Sequence, residues 1–320
     1  MKTPLHILTW HVHGNFLYSL TQLPHEFIIP VTKEQQPGYS HPGNKIPWGS
    51  NIRVVDAEHV RDQHLDCIIY QSRHAFERDR YSLLTSAQQA LPCAYIEHNP
   101  PEPHPTNTRH FFNHDRGVLV HVTHYNALMW DAGQMPVAVI EHGVPEAKDV
   151  VYTGELPCGI VVINNLNTRG RRVGADIYQW ARTAVPLELI GMGSHHLAGG
   201  LGEVPNLEVP GFVARYRFFF TPIRYASLGL SLVEAMMASV PVVGVAATEL
   251  PHVITNGVDG YVDNRKNALL DVMRQLLAEP KLAQQWGTAA YHTARQRFNI
   301  QRYICDWEKL LTTLMGGRHG

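Results

Sequence analysis

The fold of this chain is decided by residues 218–263, FFFTPIRYASLGLSLVEAMMASVPVVGVAATELPHVITNGVDGYVD. The apolar run at 218–221 predicts a buried strand, and a loop of small residues follows it. A helix is predicted to open near Leu230, a second buried strand to cover 240–245, and a turn to lie at Asn256 and Gly257. This succession of strand, loop and helix is typical of an α/β protein.

The loop before the predicted helix has the features of an anion site. The first N–H groups of a helix have no intrahelical partner, and the helix dipole places its positive end there. Glu234 lies one turn into this helix, where its carboxylate can reach neutral hydroxyls beside an anion. A phosphate flanked by hydroxyls indicates a nucleotide sugar as the ligand.

The same stretch resembles the retaining glycosyltransferases of the two-domain GT-B fold (group 1, or family 4-like), which include bacterial lipopolysaccharide and mannosyl transferases. The family pattern is P-S-x-x-E-G-F-G-L-P-x-x-E-A-M-A-x-G-x-P-V-V, followed by G-x-x-E-x-V and N-G-x-x-G. Along this pattern the chain reads PIRYASLGLS at 222–231, then EAM at 234–236, PVV at 241–243, TEL at 248–250 and NGVDG at 256–260. The resemblance is detailed from about residue 139 to 315 and architectural before that.

The resemblance implies the transfer of a sugar from a nucleoside diphosphate sugar, with retention at the anomeric carbon and without a cofactor or a required metal. It also implies an acceptor that is a glycan or a glycolipid. Glu234 would then bind the ribose of the donor. The donor phosphates would be bound by the backbone of five consecutive residues, Ser227, Leu228, Gly229, Leu230 and Ser231.

One position departs from the family pattern. The first glutamate of the family's pair, which contacts the transferred sugar, falls on Ala226. Arg224 and Ser227 are the nearest candidates to hold the sugar instead. Two other functions stay open: a catalytically inactive GT-B module that binds a nucleotide or a glycan, and an epimerase or phosphorylase on the same scaffold, although no cofactor lysine or paired acids support the last.

Composition excludes several classes of function. The chain has 320 residues, enough for two domains, and a formal net charge of -1, which does not suggest a nucleic-acid partner. Its four cysteines are far apart and favour a reduced, cytoplasmic compartment. No run approaches a membrane span, so any membrane contact would be peripheral. The 20 histidines include the pairs His11/His13, His121/His124 and His195/His196, without ligand spacing, and no metal is predicted.

The first half of the sequence predicts a doubly wound parallel sheet, and residues 1–150 are expected to form a Rossmann-like acceptor domain. Apolar runs predict strands at 5–10, 26–31, 52–55, 67–70, 94–97, 118–122 and 137–140. Gly14 and Asn15 follow the first strand, where the family places the donor phosphates, although a simple turn explains them equally well. His98 follows a later strand and, by resemblance, lies against the donor sugar. Thr123 is predicted to cap the next helix.

The second half predicts a Rossmann-like donor domain over residues 151–300, and residues 301–320 are expected to pack back on the first domain as a helix. Strands are predicted at 159–163 and 187–190, and helices at 174–183, 264–277 and 281–297. By resemblance, Asn165 and Gly193 lie at donor-binding turns. Arg169, Arg171 and Arg172 form a cation cluster with no acidic partner expected nearby, which suits a diphosphate. Of these, Arg169 and Arg172 are predicted to act in catalysis with His98.

Overall fold

The computed structural model describes residues 3–12, 14–43, 46–146 and 149–316. Within these ranges the chain divides into two compact units. The first unit comprises the residues up to Gly143 together with those from Ile300 onward, and the second comprises Val144–Asn299. None of the helices in these ranges combines the length and the apolar character needed to cross a bilayer.

The first unit is built on a seven-stranded sheet with the order β3-β2-β1-β4-β5-β6-β7. Every pairing between its strands is parallel, so the predicted doubly wound sheet is confirmed for this unit. The apolar runs form strands because both of their faces are buried between layers, as in the fully buried β4. The strands are β1 (His6–Thr9), β2 (Glu26–Val31), β3 (Ile52–Asp56), β4 (Cys67–Tyr70), β5 (Cys93–Glu97), β6 (Gly117–His121) and β7 (Val137–Val139).

Short helices connect these strands. The side chain of Thr123 accepts a hydrogen bond from the backbone N–H of Asn126 at 3.0 Å, which confirms its predicted role as a helix cap. A π-helical segment, Ala75–Asp79, leads into the second helix. The α-helices of this part are α1 (Gly14–Leu20), α2 (Arg80–Leu83), α3 (Ser86–Gln89) and α4 (His124–Met129).

The second unit has a six-stranded parallel sheet with the order β10-β9-β8-β11-β12-β13. Consecutive aromatic residues at its centre point to opposite faces, since Phe218 and Phe220 belong to one hydrophobic core and Phe219 to the other. The strands are β8 (Leu156–Val162), β9 (Leu187–Ile190), β10 (Gly200–Gly202), β11 (Tyr216–Thr221), β12 (Val242–Val245) and β13 (Gly260–Asp263).

The α-helices of the second unit are α5 (Leu166–Arg169), α6 (Ala175–Arg182), α7 (Val209–Val213), α8 (Leu230–Met237), α9 (Lys266–Ala278) and α10 (Pro280–Arg297). The four helices predicted for the second unit are found as α6, α8, α9 and α10, and the described residues contain two further short ones. The junction after β8 is not a plain loop, because it contains a short helix and then a 3-10 turn at Gly170–Val173. The segment at 209–213 is helical as well.

A last helix, α11 (Ile300–Gly316), belongs to the first unit. It buries Tyr303, Trp307 and Leu311, which lie one turn apart along one face. Gly143 packs directly on this helix, because a Cβ atom at that position would lie 2.2 Å from the Cβ of Tyr303. The helix is therefore an integral part of the core of the first unit.

Candidate functional site

A pocket opens at the carboxyl edge of the second unit's sheet and contains about 430 Å³ of space, part of it continuous with solvent. Parallel α/β sheets bind ligands at this edge. Four residues predicted from the sequence to bind the donor line the pocket: Ser227, Leu228, Gly229 and Ser231. The ends of β8, β11 and β12 complete its wall through Val162, Thr221 and Ala247.

The amino end of α8 forms one side of this pocket. Gly229 precedes the helix in an extended conformation and has no side chain with which to cap it. Within the described residues no side chain caps this end of α8, and an uncapped helix N-terminus is a favourable place for an anion. Leu230 begins the helix, and the Ser231 hydroxyl donates a 3.4 Å hydrogen bond to the carbonyl of Val162. Glu234 lies one turn further along and is half-buried.

The loop after β11 is fastened to the 3-10 turn after β8. The backbone N–H groups of Arg224 and Tyr225 both donate to the carbonyl of Arg172 at 3.1 Å. The Arg172 guanidinium returns a hydrogen bond from Nε to the carbonyl of Tyr225 at 2.9 Å. Gly174 fits this junction only without a side chain, since a Cβ atom there would lie 2.0 Å from the carbonyl oxygen of Pro222. The predicted cation Arg172 is thus fixed beside the loop that lines the pocket.

Arg169 lies on the same segment and differs from its neighbours in its electrostatics. Partial loss of water around its guanidinium lowers the pKa of Arg169. Its Nη1 donates a long, 3.4 Å hydrogen bond to the carbonyl of Asn164. In the part of the chain that the structure describes, no carboxylate lies within ion-pair distance of this guanidinium. A partly desolvated cation without a counter-charge is a favourable position for an anion.

One expectation about the other arginines is wrong. Arg171 does have an acidic partner, because its Nη1 lies 2.7 Å from a carboxylate oxygen of Asp176. The same carboxylate accepts two hydrogen bonds from Arg224, at 2.6 and 2.8 Å. Arg224 also donates to the carbonyl of Arg171 at 2.8 Å. The guanidinium of Arg224 is thus engaged in a bidentate pair, and its contact with the donor sugar stays a prediction.

Asn165 and Gly193 are neighbours in the structure, as the predicted donor site requires. Asn165 adopts the left-handed conformation, with φ of 55°, and its backbone N–H donates to the carbonyl of Met192 at 2.7 Å. Its side-chain oxygen lies 3.1 Å from the position that a Cβ atom on Gly193 would occupy. These residues do not line the pocket itself but form the turns after β8 and β9 at the same edge of the sheet.

Ala226 directly precedes the lining residue Ser227 and is buried, with 6% of its surface exposed. Thr248 lines the pocket and has a φ of 51°. A β-branched residue is rarely found in the left-handed region, and such strain concentrates at functional sites. Thr248 stands in the quoted motif but was not predicted as a site residue, because no local sequence pattern marks a strained backbone.

The predicted residues of the first unit lie at the carboxyl edge of its own sheet. Gly14 and Asn15 begin α1, and Gly14 is not in the left-handed region that favours glycine. The ring of His98 packs edge-on against Phe16, with 4.6 Å between the ring centroids. The structure therefore brings His98 next to the helix that Gly14 and Asn15 open. His13, one of the histidines considered as a metal ligand, lies outside the described residues.

A second polar cluster of the first unit is fully buried. His110 Nε2 lies 3.1 Å from a carboxylate oxygen of Glu97, and the ring of His121 is close enough for the His110 charge to act on it. His121 has no exposed surface. Burial, and then the charge of His110, lower the pKa of His121 to about 3. His121 is therefore neutral throughout the physiological range of pH.

Comparison with known proteins finds similarity to glycosyltransferases. Residues 199–293 match the family model described as glycosyl transferases group 1. A protein of Klebsiella pneumoniae described as an uncharacterized 41.2 kDa protein in the cps region is 36% identical over 67 residues. That match covers 21% of this chain and about a fifth, 19%, of the length of the Klebsiella protein.

The solved structures extend the similarity to both units and confirm the predicted GT-B fold. Sucrose-phosphate synthase from Thermosynechococcus elongatus has a TM-score of 0.72 at 13% identity, over 98% of this chain and 100% of that one. HepE from Anabaena, solved in complex with UDP and glucose, has a TM-score of 0.70 at 12% identity, over 97% and 100%. AviGT4, a glycosyltransferase of avilamycin A biosynthesis, has a TM-score of 0.66 at 14% identity, over 98% and 99%.

Proposed function

We propose that this protein is a retaining glycosyltransferase that uses a nucleoside diphosphate sugar as donor and a glycan or glycolipid as acceptor, without a required metal ion. The proposal places it in the cytoplasm, with at most peripheral contact to the membrane. Both acceptor classes are consistent with the similarity to a protein of a cps region, which favours a role in polysaccharide biosynthesis.

The observation that carries this proposal is the pair of arginines on the turn that is fastened to the pocket loop. Arg172 is fixed against this loop, and Arg169 on the same segment has no carboxylate partner within the ranges described. The amino end of α8 lies at the same pocket. In the transfer step, the bond from the anomeric carbon to the diphosphate oxygen breaks, and its electron pair stays on the diphosphate. Guanidinium groups and oriented N–H dipoles stabilise the charge that develops there.

Each predicted residue then has a role in the proposal. The backbone of residues 227–231 binds the diphosphate, with Asn165 and Gly193 beside it, and Glu234 binds the ribose hydroxyls. His98 contacts the sugar, and Gly14 and Asn15 lie at the phosphate-facing end of α1. HepE, which has a related fold, was solved with UDP and glucose, and this supports the proposed class of donor.

The decisive test measures nucleotide binding and turnover separately. Purified protein is screened against nucleoside diphosphates by thermal shift, where a ligand at 100 times its dissociation constant stabilises by about 2.7 kcal/mol. Turnover is then measured across a panel of sugar nucleotides, with hydrolysis as the readout when no acceptor is known. Stabilisation by one nucleoside diphosphate and release of its sugar are expected. Failure to bind any member of the panel would overturn the proposal.

Ala226 favours a second candidate, a nucleotide- or glycan-binding module without catalytic activity. The two functions are distinguished by Ala226→Glu, with Ala226→Gln as the matched uncharged control. A catalytically active wild type supports the transferase. A wild type that binds nucleotide but releases no sugar, together with activity gained in Ala226→Glu and not in Ala226→Gln, supports the binding module. Because residue 226 is buried, circular dichroism must first show that both variants fold.

A further inference from the structure

We propose that His6, His64 and Asp66 form a binding site for a divalent transition metal ion of the Zn²⁺ class, at the amino edge of the first unit's sheet. Among the described residues, these three are the group of His, Cys, Asp and Glu side chains whose ligand atoms lie close enough to share an ion, all within 4.8 Å of one another. The sequence does not indicate this group, because His6 is about sixty residues from its partners.

Strand pairing fixes the positions of two of the ligands. β1 and β4 are adjacent and parallel, with Ile7 opposite Cys67, so His6 and Asp66 face each other where both strands begin. The N–H of Asp66 donates to the carbonyl of His6 at 2.9 Å. The N–H of His6 donates to Asp66 Oδ2 at 2.8 Å. Carboxylates that bind a metal are typically held in place by hydrogen bonds of this kind.

Each histidine nitrogen lies about the length of one tetrahedral edge from a different oxygen of the Asp66 carboxylate. His6 Nδ1 lies 3.1 Å from Asp66 Oδ2, and His64 Nε2 lies 3.2 Å from Asp66 Oδ1. With Zn–N and Zn–O bonds of about 2.0–2.1 Å, the edges of a tetrahedral site are roughly 3.3 Å long. The two imidazole rings are edge-on, with 5.0 Å between centroids, so they can approach one ion from different directions. The carboxylate thus lies between two nitrogen ligands.

A further carboxylate faces the other side of His6. Glu26 Oε2 lies 3.9 Å from His6 Nε2, and Glu26 itself is held by Arg53 through a 2.6 Å ion pair. If His6 binds the metal through Nδ1, its Nε2–H points toward Glu26. A carboxylate in this position fixes the tautomer of a metal-bound histidine and increases its basicity. The Arg53 pair keeps that carboxylate in place.

The same contacts would also occur in a purely ionic cluster in which the histidines carry protons. The two alternatives differ in whether a metal ion or protons lie between the ligand atoms. A metal ion replaces the protons on His6 Nδ1 and His64 Nε2, so binding releases protons and weakens as the pH falls. Three protein ligands leave the fourth tetrahedral position to water, because the His64 side chain is 73% exposed.

The position of the site suggests a structural role that is independent of sugar transfer. It joins the first residue of β1 to the residue before β4, at the edge of the sheet opposite to the strand end that precedes His98. Metal binding would stabilise the folded state because the unfolded chain does not present these ligands together.

The experiment uses tag-free protein, treated with chelator and titrated with Zn²⁺ alone by calorimetry, and with Co²⁺ by visible spectroscopy. One zinc ion per chain with a micromolar dissociation constant, the absorption of four-coordinate Co²⁺, and a melting temperature that rises with zinc and falls with EDTA are expected. His64→Ala and Asp66→Asn should each weaken this binding by at least about 10-fold, since even outer-shell changes cost 10–100-fold.

His59→Ala provides the matched control. His59 is also exposed and lies near two carboxylates, Glu58 and Asp62, but it is not part of the group of three. This variant should bind zinc as the wild type does. The proposal is overturned if the wild type binds no zinc, or if its affinity and stoichiometry are the same in His64→Ala. An equal loss in His59→Ala would assign the binding to scattered surface histidines and overturn it too.

Discussion

The buried His121 should make the first unit sensitive to acid, and His121→Phe should remove that sensitivity. In the unfolded chain, a histidine has a pKa near 6.5. In the native state, burial and the charge of His110 lower the pKa of His121 to about 3. Between these values only the unfolded chain binds the proton, so stability falls as the pH falls below about 6.5. Below about pH 3 both states are protonated and this loss ends.

The size of the effect follows from the two pKa values. One pKa unit corresponds to about 1.4 kcal/mol, so the contribution is at most about 5 kcal/mol. Lowering the pH from about 7.5 to about 5.0 should cost about 2 kcal/mol through His121 alone. Both ring nitrogens of His121 lack hydrogen-bond partners among the described residues. Phenylalanine at this position should therefore be tolerated at neutral pH, since it removes unsatisfied polar atoms.

The assay is urea unfolding at the two pH values, with amide hydrogen exchange of the β6 residues used to identify the transition of the first unit. The difference between the two pH values should be smaller by about 2 kcal/mol in His121→Phe than in the wild type. Packing changes affect both pH values alike and cancel from this difference. His124→Phe, which alters an exposed histidine three residues away, should retain the wild-type difference. If His121→Phe remains as acid-sensitive as the wild type, the reasoning about His121 is refuted.

Three further predictions concern the pocket of the second unit. Glu234→Ala should weaken nucleotide binding by about 1.5 to 3 kcal/mol through lost hydrogen bonds to hydroxyls, and calorimetry that finds unchanged affinity would contradict it. Replacing Arg169 and Arg172 together by alanine should weaken the binding of a nucleoside diphosphate far more than that of the bare nucleoside, measured by calorimetry. Equal losses for the two ligands would show that these arginines do not contact the diphosphate. Thr248→Gly should raise the free energy of unfolding by about 0.5 to 1 kcal/mol, because relief of left-handed strain exceeds the entropy cost of glycine. The same change should weaken donor binding. A loss of stability in urea would contradict this prediction.

Matched controls exist for two of these predictions. Arg171→Ala removes a cation from the same turn, but one that is 76% exposed and already paired with Asp176, so it should affect the two ligands little. Ser239→Gly relieves the backbone strain of a second left-handed residue, whose φ is 59°. Ser239 does not line the pocket. This substitution should increase stability without changing the affinity for the donor.

Strands could be predicted from the sequence because both faces of each sheet are covered. A strand buried on both sides is a continuous apolar run, and the runs at 67–70 and 187–190 are found as strands residue for residue. The segment 166–173 could not be predicted in the same way. Its helix and turn depend on left-handed Asn165 and on Gly174 packed against Pro222, a contact between residues 48 positions apart.

Features of the pocket likewise differ in whether the neighbouring sequence can predict them. Residues 227–231 are contiguous, so one motif could identify the four lining residues that this segment contributes. The pairing of Asp176 with Arg224 joins α6 to the loop after β11, and no spacing within either segment reveals it. The strain at Thr248 is a backbone conformation imposed by its surroundings, which the residue type alone does not predict.

The position of α11 determines the order in which the two units can be completed during synthesis. By residue 299 the ribosome has made every residue of the second unit, while the first unit still lacks the helix that carries Tyr303, Trp307 and Leu311. Domains generally fold as units while the chain emerges. The second unit can therefore close first, and the nascent first unit must wait with the apolar surface for α11 uncovered, in a form that chaperones recognise and that is prone to aggregate.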